Sequence, residues 1–140
     1  MSNRWGLGIT AVLAGMAFNF LGDWLTGGRI EIFRGIETFT IGWAADIFLV
    51  PFMVGLLVAK IFGKHAKWLA ILPPLFVRAL SYLYLYFSYY SKDPNADFSL
   101  NLHLHYWALC VILAVESANL GAILGEVLVG VYGRKNTVNK

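Results

Sequence analysis

Four long apolar stretches alternate with short polar ones along the chain, covering about residues 5–22, 39–62, 68–90 and 106–132. Each is close to or above the roughly 20 mainly apolar residues that an α-helix needs to cross a bilayer. The pattern therefore predicts an all-α integral membrane protein. Its four transmembrane helices would form a bundle and a single membrane domain over residues 1–140.

The composition agrees with this pattern. Hydrophobic residues make up 59% of the chain and charged residues 14%, whereas a soluble domain has about 25% charged residues. The net charge of +3 gives no basis for nucleic-acid binding, because the basic residues do not cluster on one polar surface. Amphipathic aromatic rings favour the headgroup layer. All five tryptophans fall at ends of predicted helices: Trp5, Trp24, Trp43, Trp68 and Trp107.

The basic residues predict the orientation of the bundle. One side of the membrane carries Arg4, three lysines in the 60–67 turn and the basic tail 134–140. On the other side, three basic residues are accompanied by five acidic ones, which are Asp23, Glu31, Glu37, Asp93 and Asp97. Because cytoplasmic loops carry the excess of positive charge, we expect both termini in the cytoplasm (N-in/C-in) and the protein in the cell membrane.

The segment 29–38 between the first two predicted helices carries Ile30, Phe33 and Ile36 opposite charged residues. This spacing favours a short helix lying in the membrane interface. The alternative is an irregular loop stacked on the bundle.

Two predicted helices have faces of small residues. Gly8, Gly15 and Asn19 share one face of the first helix, and Gly121 and Gly125 share one face of the fourth. Small residues let helix backbones approach closely, and an asparagine can hydrogen-bond across such a contact. We expect these faces to pack against helices of the same bundle or of a partner protein.

Five polar residues interrupt the apolar segments: Asp46, Arg78, Glu116, Asn119 and Glu126. A charge at mid-bilayer costs roughly 2.5–3.5 kcal/mol on insertion scales unless it is sheltered. Counted inward from the predicted outer ends, Arg78 and Glu116 fall at similar depth, so we expect an ion pair between them. Asn119 or Asp46 would be secondary partners. Asp46 could also reach the hydrated interface, and Glu126 is expected to reach water on the cytoplasmic side.

Prolines and histidines add two local predictions. Pro51 and the pair Pro73-Pro74 predict bends in the second and third helices. From Phe98 to His105 polar and apolar residues alternate, which favours an extended segment. His103 and His105 would then point to the same side, as in some metal sites; the alternative is two ordinary interfacial histidines.

These features are compatible with three classes of function. The first is a non-catalytic structural or accessory subunit that docks in a larger membrane complex through its small and polar helix faces. The second is a small oligomeric transporter or channel for protons or ions, with the polar residues as its pathway. The third is a membrane enzyme or cofactor-binding subunit that uses His103 and His105. No catalytic or nucleotide-binding motif supports an enzyme. No residue pattern identifies a particular cofactor. The predicted partners are the bilayer and either other membrane subunits or further copies of the chain.

Overall fold

A computed structural model describes residues 2–26, 31, 35–92 and 104–130 of the chain. This part is helical and contains no β-strand. By length and composition, four helical segments can cross a membrane: Asn3–Thr26, Ile41–Phe62, Ala66–Ser88 and His105–Leu128. For the residues that the structure describes, this confirms the predicted all-α fold with four helical segments long and apolar enough to span a membrane.

Two of the four segments are interrupted helices. The elements in chain order are α1 (Ser2–Thr26), α2 (Ile41–Ala44), a π-helix (Ala45–Leu49), α3 (Val50–Phe62), α4 (Ala66–Leu69), α5 (Leu72–Lys92) and α6 (Leu104–Leu128). The second segment is thus α2, the π-helix and α3, and the third is α4 followed by α5.

Each interruption lies next to a predicted helix breaker. Pro51 has no backbone N–H to donate to the preceding turn, and the five-residue π-helix lies directly before α3, in which Pro51 is the second residue. Pro73 and Pro74 occupy the first turn of α5, where a missing N–H costs little. The bends predicted from these prolines take the form of a π-helix and a break between α4 and α5.

Close backbone contact between α3 and α6 holds the centre of the bundle. A Cβ at Gly55 would collide with the carbonyl oxygen of Ala118, and a Cβ at Gly121 would collide with that of Phe52. Only glycine permits this approach. A core of small and β-branched residues surrounds the contact: Ala11, Val54, Val58, Ala59, Ala66, Ala70 and Ala122.

The first helix packs on this pair through its own small residues. Gly15 lies against Pro73 and Val54, while Gly22 lies against Val50. The small faces predicted in the first and fourth helices therefore lie inside the bundle. They are not free docking surfaces, because neighbouring helices of the same chain already cover them.

The two ends of the bundle are named here by residues that lie at them. The Lys64 end contains the turn between α3 and α4, with the Arg4 guanidinium 5.6 Å from the Phe62 ring centre. The Asp23 end contains the last turn of α1 and the first turns of α6.

The structure bears on three local predictions, which concern the first helix, the interfacial helix and the extended segment. The first helix is longer than predicted, since α1 continues to Thr26. The predicted interfacial helix falls largely outside the described residues, and 35–38 form a turn in which Thr38 N donates to Gly35 O. Most of the predicted extended segment also lies outside them, but His105 belongs to α6, so the extended prediction is wrong at that residue.

Candidate functional site

Arg78 is the centre of a buried ionic cluster at the Asp23 end. Its Nη2 is paired with Oδ2 of Asp23, and its Nη1 donates to Oε1 of Glu31 at 2.8 Å. The side chains of Arg78 and Glu31 are 3% and 4% exposed. Buried charges need partners of this kind, because desolvation without pairing is very unfavourable.

Three elements bring these groups together. Asp23 is carried by the last turn of α1, which approaches the second segment closely because Gly22 leaves room for Val50. Arg78 lies in α5, and α6 contacts the same turn, since Trp107 Nε1 donates to the Arg78 carbonyl oxygen at 3.3 Å. The cluster therefore connects α1 to α5 at the point where α6 begins.

The pKa of Glu31 differs from that of an exposed glutamate. Burial raises it above its ordinary value, although the positive charge of Arg78 acts in the opposite direction. Desolvation is thus the larger effect on this carboxyl group.

Asp46 is the fourth member of the cluster and lies in the π-helix. It is 2% exposed, and its carboxyl group lies beside that of Asp23. Within the described residues, no hydrogen-bond donor reaches either Asp46 carboxylate oxygen. The sequence leaves two alternatives for Asp46, a position at the hydrated interface or a buried position with a partner. The structure buries Asp46, and no donor from the described residues balances its carboxylate. π-Helical turns occur frequently at functional sites.

The predicted ion pair between Arg78 and Glu116 is wrong. Arg78 pairs with Asp23 and Glu31 instead. The prediction assumed that the third and fourth helices end at one level, whereas α5 continues to Lys92 and Trp107 lies level with Arg78. Glu116 is nine residues beyond Trp107, about 13 Å deeper at 1.5 Å per residue. Its side chain is exposed on the bundle surface.

Glu126 is used at the opposite end of the bundle. It is 1% exposed, and its Oε1 accepts a hydrogen bond of 3.0 Å from the backbone N–H of Lys67. Lys67 lies in the first turn of α4, where backbone N–H groups have no partner within the helix. Glu126 therefore caps α4 from another helix. The prediction that it reaches water on the cytoplasmic side is wrong, because its side chain is buried.

Two amides and the histidines complete the predicted set. Asn19 is 1% exposed and Asn119 half-buried, and the Oδ1 atom of each has no donor within the described residues. His105 is exposed in the first turn of α6, and His103 lies outside the described residues. In the part of the chain that the structure describes, no group of three His, Cys, Asp or Glu side chains could hold a metal ion.

Two cluster residues, Asp23 and Glu31, were placed by the sequence analysis among the charges outside the membrane. One signal could have identified Asp23. It lies one helical turn after Asn19, so it continues the small, polar face of α1. Nothing comparable marks Glu31, which lies in a turn rather than on the face of a helix.

Comparison with known proteins adds no assignment: no protein-family model, no curated protein and no solved structure matches the chain.

Proposed function

We propose that the protein is a non-catalytic structural or accessory subunit of a larger membrane complex. The observation that carries this proposal is the position of Glu116. It is the middle residue of α6 (Leu104–Leu128), at the depth where an unsheltered charge costs roughly 2.5–3.5 kcal/mol on insertion scales.

The surroundings of Glu116 favour contact with a helix of another subunit. Glu116 lies in an exposed apolar stripe of α6 at helical spacing, whose other members are 39–61% exposed: Leu109, Ile112, Leu120, Ile123 and Val127. Such a stripe suits lipid or another helix. A carboxylate in its centre suits a helix that supplies a positive charge or a hydrogen-bond donor.

The chain does not supply this partner from its own described cations. Arg78 is engaged in the ionic cluster. Arg4, Lys60, Lys64 and Lys67 lie at or near the Lys64 end. Lys92 is the last residue of α5, more than three turns beyond Arg78. A further copy of the same chain would therefore bring no described cation to mid-span, which favours a different subunit with a basic or hydrogen-bonding residue.

Transport of protons or ions is the second candidate. It is favoured by Asp46, whose buried carboxylate is reached by no donor from the described residues. The other polar residues give it little support. Glu116 faces outward, Glu126 caps α4, and the apolar core around Val54, Val58 and Ala122 lies between the two ends. No observation on the described residues favours an enzyme or a cofactor-binding subunit.

The proposed subunit lies in the cell membrane with both termini in the cytoplasm, as the basic residues of the Lys64 end favour. Cysteine labelling tests this orientation, because the single native cysteine, Cys110, is 1% exposed. A membrane-impermeant maleimide should label Glu37→Cys in intact cells and Lys64→Cys only after lysis. Labelling of Lys64→Cys in intact cells, and of Glu37→Cys only after lysis, would show the opposite orientation.

The docking proposal is tested by comparing Glu116→Leu with the wild type. A leucine suits the exposed stripe better than a carboxylate, so the isolated variant should be at least as stable in detergent. It should nevertheless be lost from the native complex, because the charged contact is gone. Glu116→Gln, which keeps a hydrogen-bonding side chain, should retain part of the assembly.

A photo-reactive residue at Ile112 should cross-link to the same neighbouring subunit, whereas one at Phe20 on the exposed side of α1 should give lipid adducts. Equal assembly of wild type and Glu116→Leu would reject the docking role. Proton flux in liposomes that contain only this chain, abolished by Asp46→Asn, would favour the transporter instead.

A further inference from the structure

The carboxyl groups of Asp46 and Asp23 lie side by side. Among the residues that the structure describes, no donor reaches either buried oxygen of Asp46 or the buried Oδ1 of Asp23. Two carboxylates are both acceptors, so a hydrogen bond between them requires a proton on one of the pair. The other oxygen of Asp23, Oδ2, is already held by Arg78.

The charges described around this pair do not balance. Asp23, Glu31 and Asp46 bring three carboxyl groups to one guanidinium, that of Arg78. The two ion pairs of Arg78 leave Asp46 outside. From α6, the titratable groups near this end that are not exposed are Tyr106 and Cys110, and Cys110 packs against Ile47 of the π-helix. His105, in the first turn of α6, is exposed. Neither Tyr106 nor Cys110 is a cation, and an isolated ionised carboxylate in such surroundings is strongly disfavoured.

We propose that Asp46 and Asp23 together form a site that binds one exchangeable proton. A hydronium ion transfers its proton to one carboxylate oxygen of the pair, leaving water and a neutral acid, and the new O–H donates to the facing carboxylate. The proton belongs to the pair rather than to one residue. Asp23, whose side chain is 15% exposed, is the member of the pair that lies closer to solvent.

A metal ion is the weaker alternative for this site. The described residues contain no group of three metal-ligating side chains with suitable geometry. A proton needs only the two facing oxygens that the structure provides, and like carboxyl groups that share one proton are a known arrangement in proteins.

Proton binding would couple pH to the packing of α1. When the pair is protonated, a hydrogen bond joins the last turn of α1 to the π-helix. When it is deprotonated, two negative charges face each other at the same contact, directly after Gly22 in α1 and one turn before Val50, against which Gly22 packs. We therefore expect the Asp23 end to loosen as the proton leaves. This inference does not depend on whether α6 docks on another subunit.

The test uses the whole chain in lipid nanodiscs, labelled with ¹³C at the aspartate carboxyl carbons. The sequence has four aspartates, Asp23, Asp46, Asp93 and Asp97, so the spectrum should contain four assignable signals. We expect one signal with the shift of a protonated or proton-sharing carboxyl at neutral pH, which moves to the ionised shift on alkaline titration. Asp46→Asn should abolish that signal, while Asp97→Asn should leave it unchanged.

The wild-type titration decides the matter even if Asp46→Asn fails to fold. Four signals at the ionised shift throughout neutral pH would overturn the proposal. So would a protonated signal that persists in Asp46→Asn. Titration with Na⁺, K⁺ or Mg²⁺ at constant pH is the remaining arm. A shift of the Asp46 signal with one of these ions would replace the proton by a metal cation and would also overturn the proposal.

Discussion

Arg78 illustrates what a single buried charge does in this bundle. Its guanidinium is shared between Asp23 of α1 and Glu31 beyond the end of that helix. Its carbonyl oxygen accepts from Trp107 of α6. One residue thus connects three parts of the chain. Removing the cation leaves the carboxyl groups buried, and this loss is more unfavourable than the original pair was favourable.

Arg78→Met is therefore expected to destabilise the protein by about 3–5 kcal/mol, the range for removing one partner of a buried ion pair. Reversible unfolding in mixed micelles at neutral pH measures this loss. Arg78→Lys is the matched control, since it keeps the charge and should lose less. The deficit of Arg78→Met should shrink at low pH, where the unpaired carboxylates can be protonated. A variant as stable as wild type would show that the ion pairs contribute nothing.

At the scale of helices, the contact between α3 and α6 depends on glycines more than on interlocking large side chains. Gly55 and Gly121 place the two backbones against each other, so the Cβ of an alanine already exceeds the available space. This explains why the small-residue pattern of the fourth helix is structural here, although the same pattern could have marked a docking face.

Gly121→Ala should destabilise the bundle by about 1–3 kcal/mol, as overpacking does in closely packed cores. Gly6→Ala is the matched control, because a Cβ at Gly6 meets nothing within 4 Å. Alanine favours helix by roughly 0.5–1 kcal/mol over glycine, so this variant should be neutral or slightly stabilised. Thermal unfolding of both in the same detergent compares them. Equal melting temperatures would contradict the close approach at Gly121.

Glu126 gives a second prediction at the scale of elements. Glu126→Ala leaves the Lys67 N–H without the acceptor that α6 provides, and an unsatisfied buried donor costs about 1–3 kcal/mol. The lesion should be local, with faster amide hydrogen exchange in α4 and the adjoining turn. Glu126→Gln keeps a carbonyl oxygen and should exchange nearly as slowly as wild type. Unchanged exchange in Glu126→Ala would show that the cap is not required.

For the whole molecule, the length of the apolar segments is sufficient to predict the four described helical segments that are long and apolar enough to span a membrane, because helices that cross a bilayer need about the same number of apolar residues. It is insufficient to predict the ionic cluster. The depth of a residue in the bilayer cannot be counted from the end of its own segment when neighbouring helices end at different levels. Here α5 continues to Lys92, past the level at which α6 begins. The direction of a side chain around a helix also decides its partners, which is why Glu116 is exposed while Glu126, on the same helix, is buried.

The pH dependence of stability tests the cluster as a whole. The pKa of Glu31 is raised in the folded protein, chiefly by burial, so the folded state binds this proton more tightly than the unfolded state does. Stability should therefore fall as pH rises above about 4.3, the pKa of an unperturbed glutamate, until Glu31 ionises in the folded state. A carboxyl group with a lowered pKa would give the opposite slope.

Glu31→Gln removes this titration while keeping an oxygen that can accept from Arg78, so its stability should fall less steeply over the same range. Glu37→Gln, at an exposed position in the 35–38 turn, should follow the wild-type curve and serves as the control. Free energies of unfolding measured from pH 4 to pH 9 in one detergent provide the comparison. Identical slopes for wild type and Glu31→Gln would mean that Glu31 is not buried beside Arg78 under the conditions of the measurement.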